Sequence, residues 1–253
     1  MTDRQTKIIE IINQQKKVKV TELSNMLHVS QVTIRKDLDT LESMKIVSRE
    51  HGYAVIQNMS DIGKRMSFNY EVKQKIAAQA ADLIIDGETI MVESGSSCAL
   101  LVEYLTNSKK EITVITNSSF IARFIRQAGD GVGKVVLLGG EYQKESEVMV
   151  GPLVKVCASE FYVDKLFMGT DGFIPEAGFT CGDMMRAEAM KSMMASARKT
   201  IILTDSTKFT ELGVVLQSKF SDIDMVITDN KIPKDAKAIL EKNQIKVVAV
   251  ERE

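Results

Sequence analysis

Hydrophobic positions in the first sixty residues recur at helical spacing in three short runs. The first run, from about Asp3 to Gln15, carries Ile8, Ile9, Ile11 and Ile12 as its apolar stripe. Val18 and Val20 then alternate with lysine, which predicts a short strand. Thr21 is placed to cap a second helix through Leu27, with Leu23, Met26 and Leu27 inward. After a tight turn at His28-Val29, Ser30 is placed to cap a third helix running to about Met44. From Ile46 to Val55 the pattern alternates and turns at Gly52, as a hairpin does.

The third helix is the informative one. Ile34, Leu38 and Leu41 share one face with Lys45 and make the core contact, while Val32, Arg35, Lys36, Asp39 and Ser43 face the other way. Two adjacent cations therefore sit on the outward, N-terminal half of a helix backed by a core. A recognition helix meets the major groove in this way, with its N-terminal residues at base edges and an exposed methyl group for thymine. The candidate DNA contacts are Ser30, Gln31, Val32, Thr33, Arg35 and Lys36 on the helix. Arg49 and His51 on the hairpin, the wing, join them toward phosphate or the minor groove. A small helical bundle with a solvated basic face is the blander alternative, and Lys16-Lys17-Lys19 alone says no more than that. Helix, turn, helix and hairpin in this order and size favour DNA.

The polar stretch from Gln57 to about Ser67 separates this region from a long amphipathic helix, about Tyr70 to Ile85, with Ile76, Ala77, Ala80, Leu83 and Ile84 inward. The pattern then becomes short β-branched runs alternating with helical ones. Strands are predicted near Thr89–Val92, Ile112–Ile115, Lys134–Leu138, Lys165–Met168, Thr200–Leu203, Met225–Ile227 and Lys246–Val250. Helices are predicted near Ala99–Leu105, Phe120–Ala128, Pro152–Phe161, Met184–Ala197 and Asp235–Asn243. Near-continuous apolar strands between helices imply a mostly parallel sheet covered on both faces. The division is thus a winged helix-turn-helix over residues 1–57, a linker over 58–69 and an α/β domain over 70–253.

Six strands close on small polar residues: Glu93-Ser94-Gly95-Ser96-Ser97, Thr116-Asn117-Ser118-Ser119, Gly139-Gly140-Glu141, Gly169-Thr170-Asp171-Gly172, Thr204-Asp205-Ser206-Thr207-Lys208 and Thr228-Asp229-Asn230. Any one of these is ordinary turn chemistry. Together they describe a crevice for a polar ligand, since open parallel sheets bind ligands beyond the carboxyl ends of their strands. Gly95, Ser96 and Ser97 are the best phosphate candidates, because they open a helix whose first amides face an anion. The loop has neither Walker nor dinucleotide spacing, so a sugar phosphate suits it better than a nucleotide. Lys208 is placed to supply the compensating charge; helix-borne Arg186 and Lys191 are weaker candidates for it and are expected to be solvated.

Composition narrows the class a little. A chain of 253 residues with 44% hydrophobic and 26% charged residues suits two globular domains. No apolar run is long enough to span a bilayer. Cys98, Cys157 and Cys181 are odd in number and show no metal spacing, which suits the cytoplasm and argues against a disulfide framework, a bound metal or another cofactor. Residues 1–58 hold nine cationic and seven acidic side chains, while the remainder holds 24 and 27. That asymmetry is mild, so the DNA-binding argument rests on where the cations sit.

The run VTELSNMLHVSQVTIRKDLDTLESMKIVSREHGYAV resembles the DNA-binding domain of the DeoR family of bacterial regulators. Lys36 stands where that family usually has a second arginine, and Tyr53 where the wing usually has a second glycine. Lysine keeps the charge but not the bidentate fork. The stretches GSS, ITVITNS, VVLLGGEY, DKLFMGTDGF, GFTCGD and IILTDSTKF resemble the sensor-domain landmarks of the same family, in order. Asp164 to Asp229 looks most like the glucitol-operon type of repressor. The resemblance implies an α+β winged helix-turn-helix followed by an α/β Rossmann-like sensor similar in fold to ribose-5-phosphate isomerase. It implies that Ser96, Ser97 and Lys208 hold a phosphate, and that Asn117, Asp171, Thr180 and Asp183 contact sugar hydroxyls. It further implies a homodimer or homotetramer on a double-stranded DNA operator, repressing a carbohydrate or polyol operon under control of a phosphorylated sugar or polyol. Isomerases of this fold share an Asp-Gly-Ala-Asp-Glu motif; this chain reads Asp171-Gly172-Phe173-Ile174-Pro175, with one acid. Asp183 and Glu188 are the remaining possible bases and nothing pairs them, so binding without turnover is expected and no catalytic residue is assigned. A second domain that only oligomerises is the third reading. The Met184, Met185, Met190, Met193, Met194 run is assigned to packing.

Overall fold

The computed structural model describes residues 2–15, 17–43, 47–50, 52–56, 62, 65–66, 68–108, 111–128 and 132–252. The chain forms two compact units, Met1–Glu71 and Val72–Glu253.

The first unit runs α1 (Asp3–Gln15), β1 (Lys17–Lys19), α2 (Val20–Met26), α3 (Gln31–Ser43), β2 (Val47–Glu50) and β3 (Tyr53–Ile56). The strands make one antiparallel sheet in the order β1-β3-β2. Its core is Ile8, Ile9 and Ile12 of α1, Leu23 of α2, Ile34, Leu38 and Leu41 of α3, and Val18, Val47 and Ala54 of the sheet. A buried Asp37 on α3 takes the guanidinium of Arg4 on α1, with Nη2 at 3.2 Å from Oδ1, and so fixes one helix against the other.

Two expectations about α2 are corrected. Val20 opens the helix instead of extending the strand, and Thr21 lies inside it. The break falls at Lys19, whose backbone is extended and whose N–H donates to the Glu22 carboxylate at 3.2 Å. Met26 is exposed, because Val20 and Leu23 already fill the inner face of so short a helix. The cap on α3 is as expected, with Ser30 Oγ accepting the Thr33 N–H at 3.1 Å. Lys45 lies outside the described residues.

Helix α4 (Tyr70–Ala81) leads into the second unit and stops short of the expected Ile85. The chain turns there through Gly87 at φ 76, and the Glu88 carboxylate accepts the Ile85 N–H at 2.9 Å. Seven strands then form one wholly parallel sheet: β4 (Thr89–Val92), β5 (Ile112–Thr116), β6 (Val132–Leu137), β9 (Val163–Met168), β12 (Ala197–Leu203), β14 (Met225–Asp229) and β15 (Lys246–Val250). Ile90, Met91 and Val92 are buried in succession, so both faces of the interior strand β4 are covered. The intervening helices are α5 (Ser96–Thr106), α6 (Ser119–Ala128), α7 (Pro152–Ser159), α8 (Met184–Met194) and α9 (Lys234–Lys242). Helix α8 ends before the expected Ala197 because that residue opens β12, paired with Val163. Met190 and Met193 pack in the core as expected, but Met184 and Met185 are exposed. No helix among the described residues is long and apolar enough to cross a membrane.

Two antiparallel elements go beyond the expected pattern. β7 (Glu141–Gln143) pairs with β8 (Val148–Val150), and β10 (Gly172–Ile174), β11 (Gly178–Cys181) and β13 (Val215–Lys219) form a small sheet. Phe173, Phe179 and Phe209 pack edge to face beside it.

The strand order β15-β14-β12-β9-β4-β5-β6 places the site. From β4 the chain steps outward through β5 and β6, then returns to the other flank of β4 with β9. The winding direction reverses between β4 and β9, and such a switch point opens a crevice at the carboxyl ends of its two strands.

Candidate functional site

On α3 the structure separates the two faces cleanly. Ile34, Leu38 and Leu41 are fully buried, whereas Ser30, Gln31, Val32, Arg35 and Lys36 are exposed and Thr33 is half-buried. Val32 is 73% exposed, a lone apolar side chain held in water beside two cations. The hydroxyls of Ser30 and Thr33 lie 2.9 Å apart at the head of the helix.

The wing differs from expectation. Arg49 reaches back to α3, with Nη2 at 2.6 Å from Asp39 and 2.8 Å from Glu42, and its backbone N–H also donates to Glu42. The Glu42 hydrogen bond leads the causes that raise its pKa above the ordinary arginine value. Arg49 therefore ties β2 to the recognition helix. His51 lies outside the described residues. Lys17 and Lys19, which the sequence reading left as solvated charge, stand with their ammonium groups 4.6 and 5.5 Å from the centre of the Tyr53 ring. Val18 between them is buried, so strand alternation places both lysines on the outer face, and Lys19 is paired with Tyr53 across β1 and β3. The two-residue spacing of the lysines carried this signal.

At the switch point, the ends of β4 and β9 touch. A Cβ on Gly95 would lie 3.3 Å from the Cα and N of Gly169, so this approach depends on glycine. Gly95 is the N-cap of α5, and the first-turn amides of Ser96 and Ser97 have no carbonyl within the helix to bond. Ser118 Oγ donates to Ser94 Oγ at 3.2 Å, joining the ends of β4 and β5. Lys208 stands on the 3-10 turn after β12 (Ser206–Thr210), with Nζ 2.6 Å from the Glu211 carboxylate. The expected cation is thus at a strand end and already has a carboxylate partner. Asp205, just before it, is buried and lies 3.8 Å from the buried Lys73 ammonium of α4.

The residues assigned to sugar hydroxyls divide by duty. Thr180 is fully buried and its Oγ1 accepts the Gly213 N–H at 2.9 Å. Asp183 caps α8, accepting the Arg186 N–H at 2.8 Å and the Gln143 amide at 3.1 Å. Burial pushes its carboxyl up, but these hydrogen bonds and the Arg186 charge outweigh burial and hold it below the usual aspartate value. Asn117 and Asp171 stand at the ends of β5 and β9. Asn117 is buried and donates to the Met149 carbonyl at 3.1 Å; Asp171 accepts the Gly182 N–H at 3.1 Å.

Arg186 is the clear correction. It is buried, not solvated, with its guanidinium 3.8 Å from Glu93 and 3.5 Å from Asp171. It occupies the third position of α8, where a long side chain leans back toward the helix start and so toward the converging strand ends. Lys191, one turn and a half further on, is exposed and pairs with Glu188 at 2.8 Å.

Residues 68–230 match the DeoR C terminal sensor domain, and residues 4–59 match the DeoR-like helix-turn-helix domain. The chain belongs to the DeoR family. Within it, the chain is 32% identical to the HTH-type transcriptional regulator GolR of Listeria innocua, covering 92% of each. It is 28% identical to the putative aga operon transcriptional repressor of Escherichia coli O157:H7, over 98% of this chain and 94% of that one. Among solved structures it is similar to ribose 5-phosphate isomerase A of Methanocaldococcus jannaschii, at 22% identity and a TM-score of 0.42, covering 56% of this chain and 55% of that one. Membership of the DeoR family makes the chain a DNA-binding transcriptional regulator and not an enzyme. Of the two carboxylates weighed as bases, Glu188 is at the surface on Lys191, and Asp183 caps α8.

Proposed function

We propose that this DeoR-family regulator represses a carbohydrate or polyol operon and leaves its operator when a phosphorylated sugar or polyol occupies the crevice between β4 and β9. The close approach of Gly95 to Gly169 carries the reading, because it sets the open first turn of α5 over the switch point of the sheet. Gly95, Ser96 and Ser97 hold the phosphate, with Lys208 exchanging Glu211 for the incoming anion; Asn117 and Asp171 meet the hydroxyls. The name of the Escherichia coli O157:H7 relative, a putative aga operon transcriptional repressor, supports the repression of an operon.

On the DNA side, Gln31, Val32, Thr33, Arg35 and Lys36 read base edges, with Ser30 at the head of the helix. Lys17 and Lys19, held on Tyr53, take the phosphate contacts expected of Arg49. A homodimer sets two such helices about one helical turn of DNA apart. Ligand release of the operator then needs only a differential affinity of the ligand for the two arrangements.

The test is a thermal-shift panel of sugar and polyol phosphates on the full chain, followed by footprinting upstream of its own gene with each hit. A hit raises the unfolding temperature as ligand linkage requires and weakens the footprint. Lys208→Ala keeps the footprint and loses the response. A flat panel rejects the effector and leaves the second unit as an assembly domain.

A further inference from the structure

Two buried amide side chains at the crevice carry an oxygen with no hydrogen-bond partner among the described residues: Asn117 Oδ1 and Gln217 Oε1. Both amides are fixed the same way round. Asn117 Nδ2 donates to the Met149 carbonyl at 3.1 Å, and Gln217 Nε2 donates to the Gly169 carbonyl at 2.8 Å. Reversing either amide would set oxygen against oxygen, so the unpartnered atom is an acceptor in each case. A buried acceptor left unmade carries the full desolvation cost of its oxygen, and native proteins keep few of them away from functional sites.

Their placement brackets the crevice. Asn117 follows β5 and Gly169 follows β9, the two neighbours of β4, so the ends they mark lie about 10 Å apart across the Ser94–Ser97 loop. Between them stand the Glu93 and Asp171 carboxylates with Arg186 between those two, and Asp183 at the head of the same helix. Asn117 and Gln217 thus line the crevice with hydrogen-bond acceptors, while the first turn of α5 favours an anion.

We propose that Gln217 is a specificity-determining residue of the crevice, which with Asn117 selects a phosphorylated polyol or neutral sugar over the phosphorylated sugar acid of the same chain length. This rests on the effector reading above. Hydroxyl groups satisfy both orphan acceptors by donating; an ionised ligand carboxylate brings only acceptors and leaves them unmade.

The experiment is calorimetric titration of the full chain with D-glucitol 6-phosphate, 6-phospho-D-gluconate and inorganic phosphate. The first two differ only at C1, hydroxymethyl against carboxylate. Glucitol 6-phosphate is expected to bind at least about tenfold more tightly than the acid and than phosphate. Gln217→Met is expected to weaken glucitol 6-phosphate about tenfold while leaving phosphate unchanged, which shows the crevice still formed. Equal or tighter binding of the acid overturns the proposal, as does a polyol that binds no better than phosphate; neither outcome needs a variant. Unaltered polyol binding by Gln217→Met removes Gln217 itself. If phosphate binds and the pair is not discriminated, only this inference fails. If none of the three binds, the effector reading fails with it.

Discussion

Helix α3, proposed to read DNA, and the crevice at the end of the parallel sheet both carry charged and polar side chains, but they hold them in opposite settings. On α3 the core is behind the functional face, so Arg35, Lys36 and Val32 project into water and touch nothing that the fold needs. In the crevice the functional groups are themselves interior. Glu93, Arg186, Asn117 and Gln217 are each at least nine-tenths buried and are tied to backbone or to one another. A face built in the first way can change its residues, and so its DNA sequence, at little cost in stability. A pocket built in the second way cannot change one charge without answering for its partner.

The sharpest break of this contrast is Arg186→Met. Removing the Arg186 charge from beside the buried Glu93 is expected to destabilise the second unit by about 3–5 kcal/mol in urea unfolding, and adding Glu93→Gln is expected to restore most of it. Wild-type stability in the single variant would show that the crevice charges behave as surface ones. Arg35→Ala is the converse test, with about 1–3 kcal/mol lost from operator affinity, relaxed sequence preference, and unfolding within about 0.5 kcal/mol of wild type. An unchanged footprint would take Arg35 off the recognition surface.

Asp183 sharpens the comparison through pH. Its folded carboxyl lies below the ordinary aspartate value, so the stability it adds is present above that ordinary value and is lost as pH falls through the folded one. Asp183→Ala is expected to lose about 0.5–2 kcal/mol at neutral pH as a missing helix cap. Asp183→Asn keeps the cap and is expected to flatten the fall in melting temperature below about pH 4. A fall as steep as wild type would place the acid-sensitive carboxyl elsewhere. The smallest effect is expected at Lys17→Ala and Lys19→Ala. Each should reduce the slope of log affinity against log salt on a mixed-sequence duplex by about 0.9, with base preference intact. A slope equal to wild type would return both lysines to the solvated face.

The same contrast explains what the sequence disclosed. Periodicity reports which side of a helix is buried, so it found α3, its core triplet and its outward cations directly. It also found the parallel strands, because Ile90, Met91 and Val92 need apolar neighbours on both faces. It could not find β7, β8, β10 or β11, which span three or four residues and show no alternation; Gly178 to Cys181 is buried throughout. Gln217 was hidden with them, since its strand β13 is placed only by pairing with β11 in the β10-β11-β13 sheet. Arg186 was misjudged because a cation on a helix is ordinarily solvated, and only the convergence of β4 and β9 supplies the carboxylates that keep it inside. The pairing of Arg49 with Asp39 and Glu42 was equally hidden, because it joins β2 to a neighbouring element.

The position of β4 has a consequence for the order in which the protein is made. Every contact in the core of the first unit joins residues no later than Ala54, so that unit has all its parts soon after it leaves the ribosome. β4 is synthesised next but lies in the middle of the sheet, and its second neighbour, β9, begins only at Val163. Parallel pairings across such a separation are intrinsically slow to form. During each round of synthesis the DNA-binding unit is therefore complete well before the crevice between β4 and β9 exists. The nascent chain acquires its reading head first and the two sides of its switch point last.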